Sequence, residues 1–231
     1  MTMIADNLQR VRARIAQATT ACQRKPDSVT LLAVSKTFPA EAVRQAFAAG
    51  QTAFGENYIQ EAVDKMSALA DLPLVWHCIG PIQSNKTRQV AEHFDWAHSV
   101  DRLKIAQRLS DQRPEGMAPL QVCIQVNIDG GPTKAGVAPE AVLELARQIA
   151  ALPHLRLRGL MTIPEPAADF ASACSVHARA RALFDVLNAQ GLQLDTLSMG
   201  MTADLEAAVQ SGSTMVRVGT AIFGKRDYTN A

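Results

Sequence analysis

The sequence predicts an α/β fold in which eight parallel strands close into a single (β/α)8 TIM barrel, preceded by one extra N-terminal helix. Short apolar, β-branched segments alternate with helix-like segments along the chain, and this alternation predicts a parallel sheet. The length of 231 residues suits one barrel, which typically needs about 250 residues. A doubly wound open sheet is the alternative, but no GxGxxG motif follows the first predicted strand. We therefore expect one domain over residues 1–231.

Hydrophobic periodicity locates the individual elements. In the N-terminal helix Ile4, Leu8, Val11, Ile15 and Ala18 recur at spacings of four and three, which is typical of an amphipathic helix. The predicted strands cover residues 30–34, 52–54, 74–79, 95–98, 120–128, 155–161, 194–198 and 214–218. The predicted helices between them cover residues 39–49, 56–69, 84–92, 101–111, 139–151, 170–190 and 203–210.

Composition excludes several classes of protein. Lys and Arg number 23 against 22 Asp and Glu, a formal net charge of +1, which argues against a general nucleic-acid binder. No apolar run approaches the about 20 residues that a membrane-spanning helix needs, and the N-terminus lacks the apolar core of a secretory signal. The four cysteines form no CxxC motif. We therefore expect reduced thiols in a cytoplasmic protein, with no metal site.

The ends of the predicted strands carry residues suited to ligand binding. Side chains on the outer face of a barrel meet the helices and are apolar, so alternation turns Arg217 and Asn127 inward and places Lys36 at the C-terminal mouth. An amine shielded from water loses its proton more easily and condenses with an aldehyde or ketone. A solvated lysine is the simpler alternative. Two cations at one mouth favour an anionic ligand.

Turns that contain glycine follow the last two predicted strands, at residues 198–202 and 219–220. Small residues let backbone N–H groups approach a phosphate closely, and phosphate sites after the seventh and eighth strands recur in barrels. Ordinary turns with a helix cap are the alternative. Together with the two cations, these turns indicate a phosphorylated carbonyl ligand.

His77 and Tyr58 each allow two interpretations. His77 lies on a predicted strand, so we interpret it as a hydrogen-bonded histidine of the barrel, with acid–base catalysis as the alternative. We interpret Tyr58 as a packed aromatic residue, with proton donation as the alternative. The remaining histidines show no spacing typical of metal ligands. We therefore assign no catalytic residue and no metal ligand.

Seven segments carry a resemblance to a known family. They are Val34-Ser35-Lys36, Phe54-Gly55-Glu56-Asn57-Tyr58, HCIGPIQSNK at 77–86, Gln125-Val126-Asn127, GLMTI at 159–163, SMGM at 198–201 and VRVGTAIFG at 216–224. They span nearly the whole chain, which resembles the YggS/PROSC family of pyridoxal 5′-phosphate (PLP) homeostasis proteins. The resemblance implies a barrel of the alanine-racemase N-terminal type that binds PLP.

The resemblance also implies roles for individual residues. By carry-over, Lys36 forms the Schiff base, Ser198, Gly219 and Thr220 hold the phosphate, Arg217 faces the pyridine nitrogen or lies close to the phosphate, and Asn57, His77 and Met199 line the pocket. Two positions depart from the family pattern. Gly130-Gly131-Pro132 stands where the family usually has a Glu, so no role for that acid carries over. Thr202 stands where Ser usually follows SMGM, and the hydroxyl is retained.

The expected function is intracellular PLP homeostasis, in which a monomeric carrier buffers PLP and delivers it to partners such as PLP-dependent apo-enzymes without catalytic turnover. Racemases that share this barrel add a β-rich domain with a catalytic tyrosine, whereas Tyr58 and Tyr228 are the only tyrosines here. An arginine beside the pyridine nitrogen cannot accept a proton from it, which weakens the ring as an electron sink. The alternatives are a racemase-like PLP enzyme acting on amino acids and a Schiff-base aldolase acting on a phosphorylated sugar.

Overall fold

Eight parallel strands form a closed barrel in the computed structural model, which describes residues 2–131 and 135–225. Each strand pairs with the next along the chain, and β8 returns to pair with β1. The strands are β1 Thr30–Val34, β2 Ala53–Glu56, β3 Val75–Cys78, β4 Trp96–Val100, β5 Leu120–Val126, β6 Leu155–Thr162, β7 Thr196–Ser198 and β8 Met215–Val218. The predicted TIM barrel is therefore confirmed, and Pro132 and Tyr228 lie outside the described residues.

Helices surround the barrel. They are α1 Met3–Ala21, α2 Ala40–Ala48, α3 Ile59–Ala68, α4 Thr87–His93, α5 Leu103–Asp111, α6 Val142–Ala150, α7 Phe170–Ala189, α8 Leu205–Gln210 and α9 Thr220–Phe223, with a 3₁₀ turn at Pro139–Ala141. The sequence prediction omits α9 and starts several helices too early, by three residues in α3 and α4. The predicted helix 56–69 begins at Ile59, because Glu56 ends β2 and its side chain is bonded inside the protein. The predicted helix 84–92 begins at Thr87.

The N-terminal helix α1 packs against α2, α8 and α9 on the outside of the barrel. Its predicted apolar stripe is buried from Ile4 through Ala18, as the periodicity indicates. Arg14 donates from Nε and Nη2 to the Glu206 carboxylate at 2.8 and 2.9 Å, and from Nη2 to the carbonyl of Thr202 at 3.0 Å. The extra helix therefore braces the segment between β7 and α8.

Apolar side chains fill the layer between the strands and the helices, whereas the inside of the barrel holds a group of buried polar side chains. His77, His98, Ser198 and Arg217 are each at most 4% exposed. The four cysteines are free thiols, as expected. Within residues 2–131 and 135–225, no helix combines the length and apolar character needed to cross a membrane, and no cluster of three His, Cys, Asp or Glu side chains is arranged for a metal ion.

Candidate functional site

A cavity of about 310 Å³ lies at the C-terminal mouth of the barrel. Five of the eight residues predicted for the site line it together: Lys36, Asn57, Arg217, Gly219 and Thr220. The other lining residues are Val34, Ile79, Ile163, Met201, Thr202 and Ala203. A primary amine, a guanidinium, hydroxyls and apolar walls therefore surround one space, which suits an anionic carbonyl compound with an apolar ring.

A second cavity of about 350 Å³ lies beside the first, between the loops that lead into α7 and α8. It shares Met201 and Ala203 with the mouth cavity, and the rest of its described lining is apolar or acidic apart from His177, with Glu165, Asp169 and Asp204 among the acidic side chains. No lysine or arginine lines it. The amine and the cation that a phosphorylated carbonyl needs are both at the mouth, so the smaller cavity is the candidate site.

Close packing of backbones shapes the rim of the mouth. A Cβ added at Gly80, after β3, would overlap the carbonyl oxygen of Asn57, so only glycine lets these two loops meet there. A Cβ at Gly219 would lie 3.1 Å from the carbonyl oxygen of Val34, the residue two before Lys36. Glycine is therefore required at position 80, and at position 219 it gives the closest approach of neighbouring strand ends around the cavity.

The start of α9 offers hydrogen-bond donors at the rim. Gly219 and Thr220 line the cavity, and α9 begins at Thr220. The first N–H groups of a helix have no acceptor within that helix and attract anions. With the guanidinium of Arg217 in the same lining, this donor set fits a phosphate group.

Arg217 is fixed by hydrogen bonds inside the barrel. Its Nη1 donates to Ser198 Oγ at 2.8 Å, and its Nη2 donates to the carbonyl of Thr162 at 2.8 Å. Ser198 Oγ also lies 3.1 Å from His98 Nδ1, and His98 Nε2 lies 2.9 Å from His77 Nδ1. Two sets of neutral tautomers satisfy this chain: Ser198 donates to His98 Nδ1 and His98 Nε2 donates to His77 Nδ1, or both hydrogen bonds run in the opposite direction. In either set each histidine is bonded to its neighbour as a neutral ring.

The two histidines stay neutral because they are buried. Burial lowers the pKa of His77 to about 3. Burial first, and then the charges of His77 and Arg217, lower the pKa of His98 well below its ordinary value. Burial also lowers the pKa of Arg217 to about 10, which leaves the guanidinium charged at neutral pH. The network therefore carries one positive charge, at the end nearest the cavity.

Three predicted site residues do not line the mouth cavity. His77 and Ser198 lie beneath it in the hydrogen-bonded chain, at 2% and 0% exposure. Met199 is buried in the apolar layer that contacts the helices. Met199 lies one residue beyond the end of β7 and is fully buried. The roles of these residues toward a ligand stay predictions.

Two further residues differ from the sequence analysis. Tyr58 is 56% exposed, so the interpretation as a packed aromatic is wrong, and Tyr58 does not line the cavity. Asn127 lies beyond the end of β5, where its side chain bonds the N–H of Gly130 and the carbonyl of Gly131. The predicted strand 120–128 therefore ends early, and Asn127 shapes the following turn.

The apolar walls Ile79, Ile163 and Ala203 are not among the residues predicted from the sequence. Ile79 and Ile163 each occupy the first position after a strand, β3 and β6 respectively. An apolar side chain there carries no chemical signal of its own, and only its position after a strand of a barrel could have indicated it.

Comparison with known proteins identifies the family. Residues 6–227 match the family of the alanine racemase N-terminal domain. The pyridoxal phosphate homeostasis protein of Pseudomonas aeruginosa is 61% identical, over 99% of this chain and 98% of its own. Its counterpart from Escherichia coli is 53% identical, over 99% of both chains. The structure of PipY from Synechococcus elongatus with PLP bound superposes with a TM-score of 0.83 at 42% identity, covering 96% of this chain and 100% of that one. The chain therefore belongs to the family of pyridoxal phosphate homeostasis proteins.

Proposed function

We propose that this chain binds PLP in the mouth cavity as a Schiff base on Lys36, and that it buffers and delivers the cofactor without turning over a substrate. One observation carries the proposal: Lys36, Arg217 and the 219–220 turn line the same cavity. The PLP-bound structure of PipY, which is 42% identical, supports PLP as the ligand. The loaded protein takes part in PLP homeostasis, as the names of its relatives indicate.

Each lining residue has a chemical role in this proposal. The Lys36 amine condenses with the PLP aldehyde and releases water. Thr220 and the first N–H groups of α9 hold the phosphate, and Arg217 supplies a fixed positive charge beside the phosphate or the pyridine nitrogen. Asn57 and the apolar walls contact the ring. The bond to Lys36 gives retention, while the phosphate contacts give selectivity for the phosphorylated vitamer.

The carrier role rests on the scarcity of groups that could move a proton. Among the described residues that line the cavity, Lys36 and Arg217 are the only ones with an ionisable nitrogen base, and no carboxylate, histidine or tyrosine lines it. Racemisation removes a proton from one face of the α-carbon and returns one to the other face, which calls for two suitably placed groups. Lys36 alone does not meet that requirement.

A racemase-like enzyme acting on amino acids is the second candidate, because the chain matches the alanine racemase N-terminal domain over residues 6–227. Incubation of the loaded protein with a panel of amino acids in deuterium oxide distinguishes the two. The carrier incorporates no deuterium at the α-carbon above the rate of free PLP. Incorporation that depends on Lys36 would establish the enzyme instead.

The decisive test of the carrier proposal is covalent trapping. Purified protein loaded with PLP should be yellow, and borohydride followed by peptide mapping should place the reduced pyridoxyl group on Lys36. A colourless protein would favour the aldolase alternative, and a label on any other lysine would remove the proposed Schiff base. Control samples treated with borohydride before PLP should carry no label.

We further propose that the carrier acts as a monomer in the cytoplasm and passes PLP to apo-enzymes. Release requires attack on the Schiff base by water or by another amine, such as the lysine of an apo-enzyme. Mixing the loaded protein with an apo-enzyme should restore the activity of that enzyme. The rate of reactivation should exceed the rate at which the carrier releases free PLP by itself. A rate no greater than that would leave buffering as the function and exclude direct delivery.

A further inference from the structure

A buried group of charged side chains lies on the outer side of β1 and β2, under α3. Lys65 Nζ, on α3, lies 2.7 Å from Glu56 Oε1 and 2.9 Å from Glu61 Oε1. Ser35 Oγ donates to the same Glu56 oxygen at 2.6 Å. The side chains of Lys65 and Glu56 are 5% and 0% exposed, whereas Glu61 is 33% exposed at the edge. We call Ser35, Glu56, Glu61 and Lys65 the α3 charge cluster.

The α3 charge cluster places charged side chains between a strand and a helix, where their burial costs free energy. Burial of an ion pair costs several kcal/mol per ion, and apolar side chains of similar volume often stabilise a protein as well or better. Burial raises the pKa of Glu56 in spite of Lys65 and Ser35, which lower it. Within the described part of the chain, Glu56 Oε2 has no hydrogen-bond partner. Stability alone therefore does not explain why charges occupy this position.

The α3 charge cluster forms hydrogen bonds with the backbone on both sides of Lys36. Lys65 Nζ donates to the carbonyl of Ser35 at 2.9 Å, and the N–H of Thr37 donates to Glu61 Oε1 at 2.7 Å. These are the residues immediately before and after Lys36, and both bonds involve a charged group, the stronger kind of hydrogen bond. The orientation of the chain at Lys36 is therefore set by two side chains of α3.

The segment is also held in a strained conformation. Thr37 has φ of +68°, a left-handed conformation that a β-branched residue rarely adopts. Such strain persists only where the surrounding structure enforces it, and it concentrates at functional sites. The bond from the Thr37 N–H to Glu61 is the contact that acts directly on this residue.

We propose that Glu61 and Lys65 are positioning residues, which hold the backbone around Lys36 so that its amine meets the carbonyl group of a ligand in the mouth cavity. The proposal rests on the proposed function, because it assumes that Lys36 forms the Schiff base. Neither side chain lines the cavity, so both act through Lys36. Loss of these hydrogen bonds to the backbone should therefore disfavour the covalent bond between Lys36 and the ligand and leave the noncovalent contacts unchanged.

Two ligands separate these contributions. PLP binds through the aldehyde and the phosphate, whereas pyridoxine 5′-phosphate has an alcohol in place of the aldehyde and cannot form a Schiff base. The ratio of their dissociation constants therefore measures the covalent step. Glu61→Ala should weaken PLP binding about tenfold, roughly one charge-assisted hydrogen bond, while pyridoxine 5′-phosphate binding stays within twofold. Glu61→Gln keeps an oxygen acceptor for the Thr37 N–H and should restore most of the ratio.

The control variant is Glu92→Ala, which removes an exposed ion pair with Arg88 on α4 and should leave both affinities unchanged. Glu61 is partly exposed on a helix, so Glu61→Ala should fold, and a thermal melt checks this directly. Should that variant fail to fold, Glu61→Asp, whose shorter side chain draws the carboxylate away from the Thr37 N–H, should lower PLP binding in the same way and leave pyridoxine 5′-phosphate binding within twofold. Equal losses for the two ligands, or no loss for either, would overturn the positioning role. An unlabelled Lys36 in borohydride-treated wild type would instead refute the proposed function itself.

Discussion

Ser198 is the link between the guanidinium of Arg217 and the two buried histidines, so its removal tests the internal network of the barrel. Ser198→Ala takes away the hydrogen-bond acceptor of Arg217 Nη1 and the hydrogen-bond partner of His98 Nδ1, which lie 2.8 and 3.1 Å from Ser198 Oγ. Both partners stay buried, at 4% and 0% exposure. Each buried group left without a partner costs about 1–3 kcal/mol, and a charged one costs more.

The expected loss of unfolding free energy for Ser198→Ala is therefore about 2–6 kcal/mol, the sum for two unsatisfied groups. Equilibrium urea unfolding, followed by circular dichroism at neutral pH, measures it. The matched control is Ser67→Ala, which removes an exposed hydroxyl that donates only to the carbonyl of Val63 on its own helix. Surface changes of that kind stay within about 0.5 kcal/mol. If both variants lose the same small amount, Ser198 does not hold the network together.

Two other predictions concern His77 and Thr220. Burial lowers the pKa of His77 from 6.5 to about 3, so the stability that the neutral ring contributes is fully present above pH 6.5 and is lost as the pH falls toward 3. Urea unfolding between pH 7 and pH 4 should show this decline, up to about 1.4 kcal/mol per pH unit for each proton taken up, and His77→Gln should flatten it. An unchanged slope would mean that His77 is not held neutral. Thr220→Ala should weaken PLP binding by about 1–2 kcal/mol, one charge-assisted hydrogen bond, and leave the binding of pyridoxal, which has no phosphate, unchanged. Equal effects on both ligands would remove Thr220 from the phosphate contacts.

The barrel could be predicted because the alternation of strands and helices depends on the local pattern of apolar residues. The first and last residues of each element depend also on tertiary contacts. Glu56 illustrates the difference. Its sequence neighbourhood is typical of the start of a helix, but its carboxylate accepts from Ser35 and Lys65 inside the protein, and these contacts keep it in β2. No local pattern identifies partners 21 and 9 residues away.

Part of the candidate site could be predicted from residues at and just beyond the ends of strands. Lys36, Arg217 and Thr220 line the mouth cavity as expected. Met199 and Asn127 each lie one residue beyond a strand, β7 and β5 respectively, where alternation no longer fixes the direction of a side chain. Glu61 and Lys65 carried no signal in the sequence, because their contacts are with backbone groups of a distant loop.

The protonation states of the site bear on the choice between carrier and catalyst. A group that moves protons at neutral pH works best with a pKa near 7. Burial places the pKa of His77 at about 3 and that of Arg217 at about 10, so neither group changes its charge near neutral pH. A ligand in the mouth cavity thus meets a constant positive charge from Arg217, and neither Arg217 nor His77 is ready to exchange a proton with it. These protonation states support the proposed carrier over the racemase-like alternative, and in that proposal the attack on the Schiff base comes from an amine or water that enters from outside.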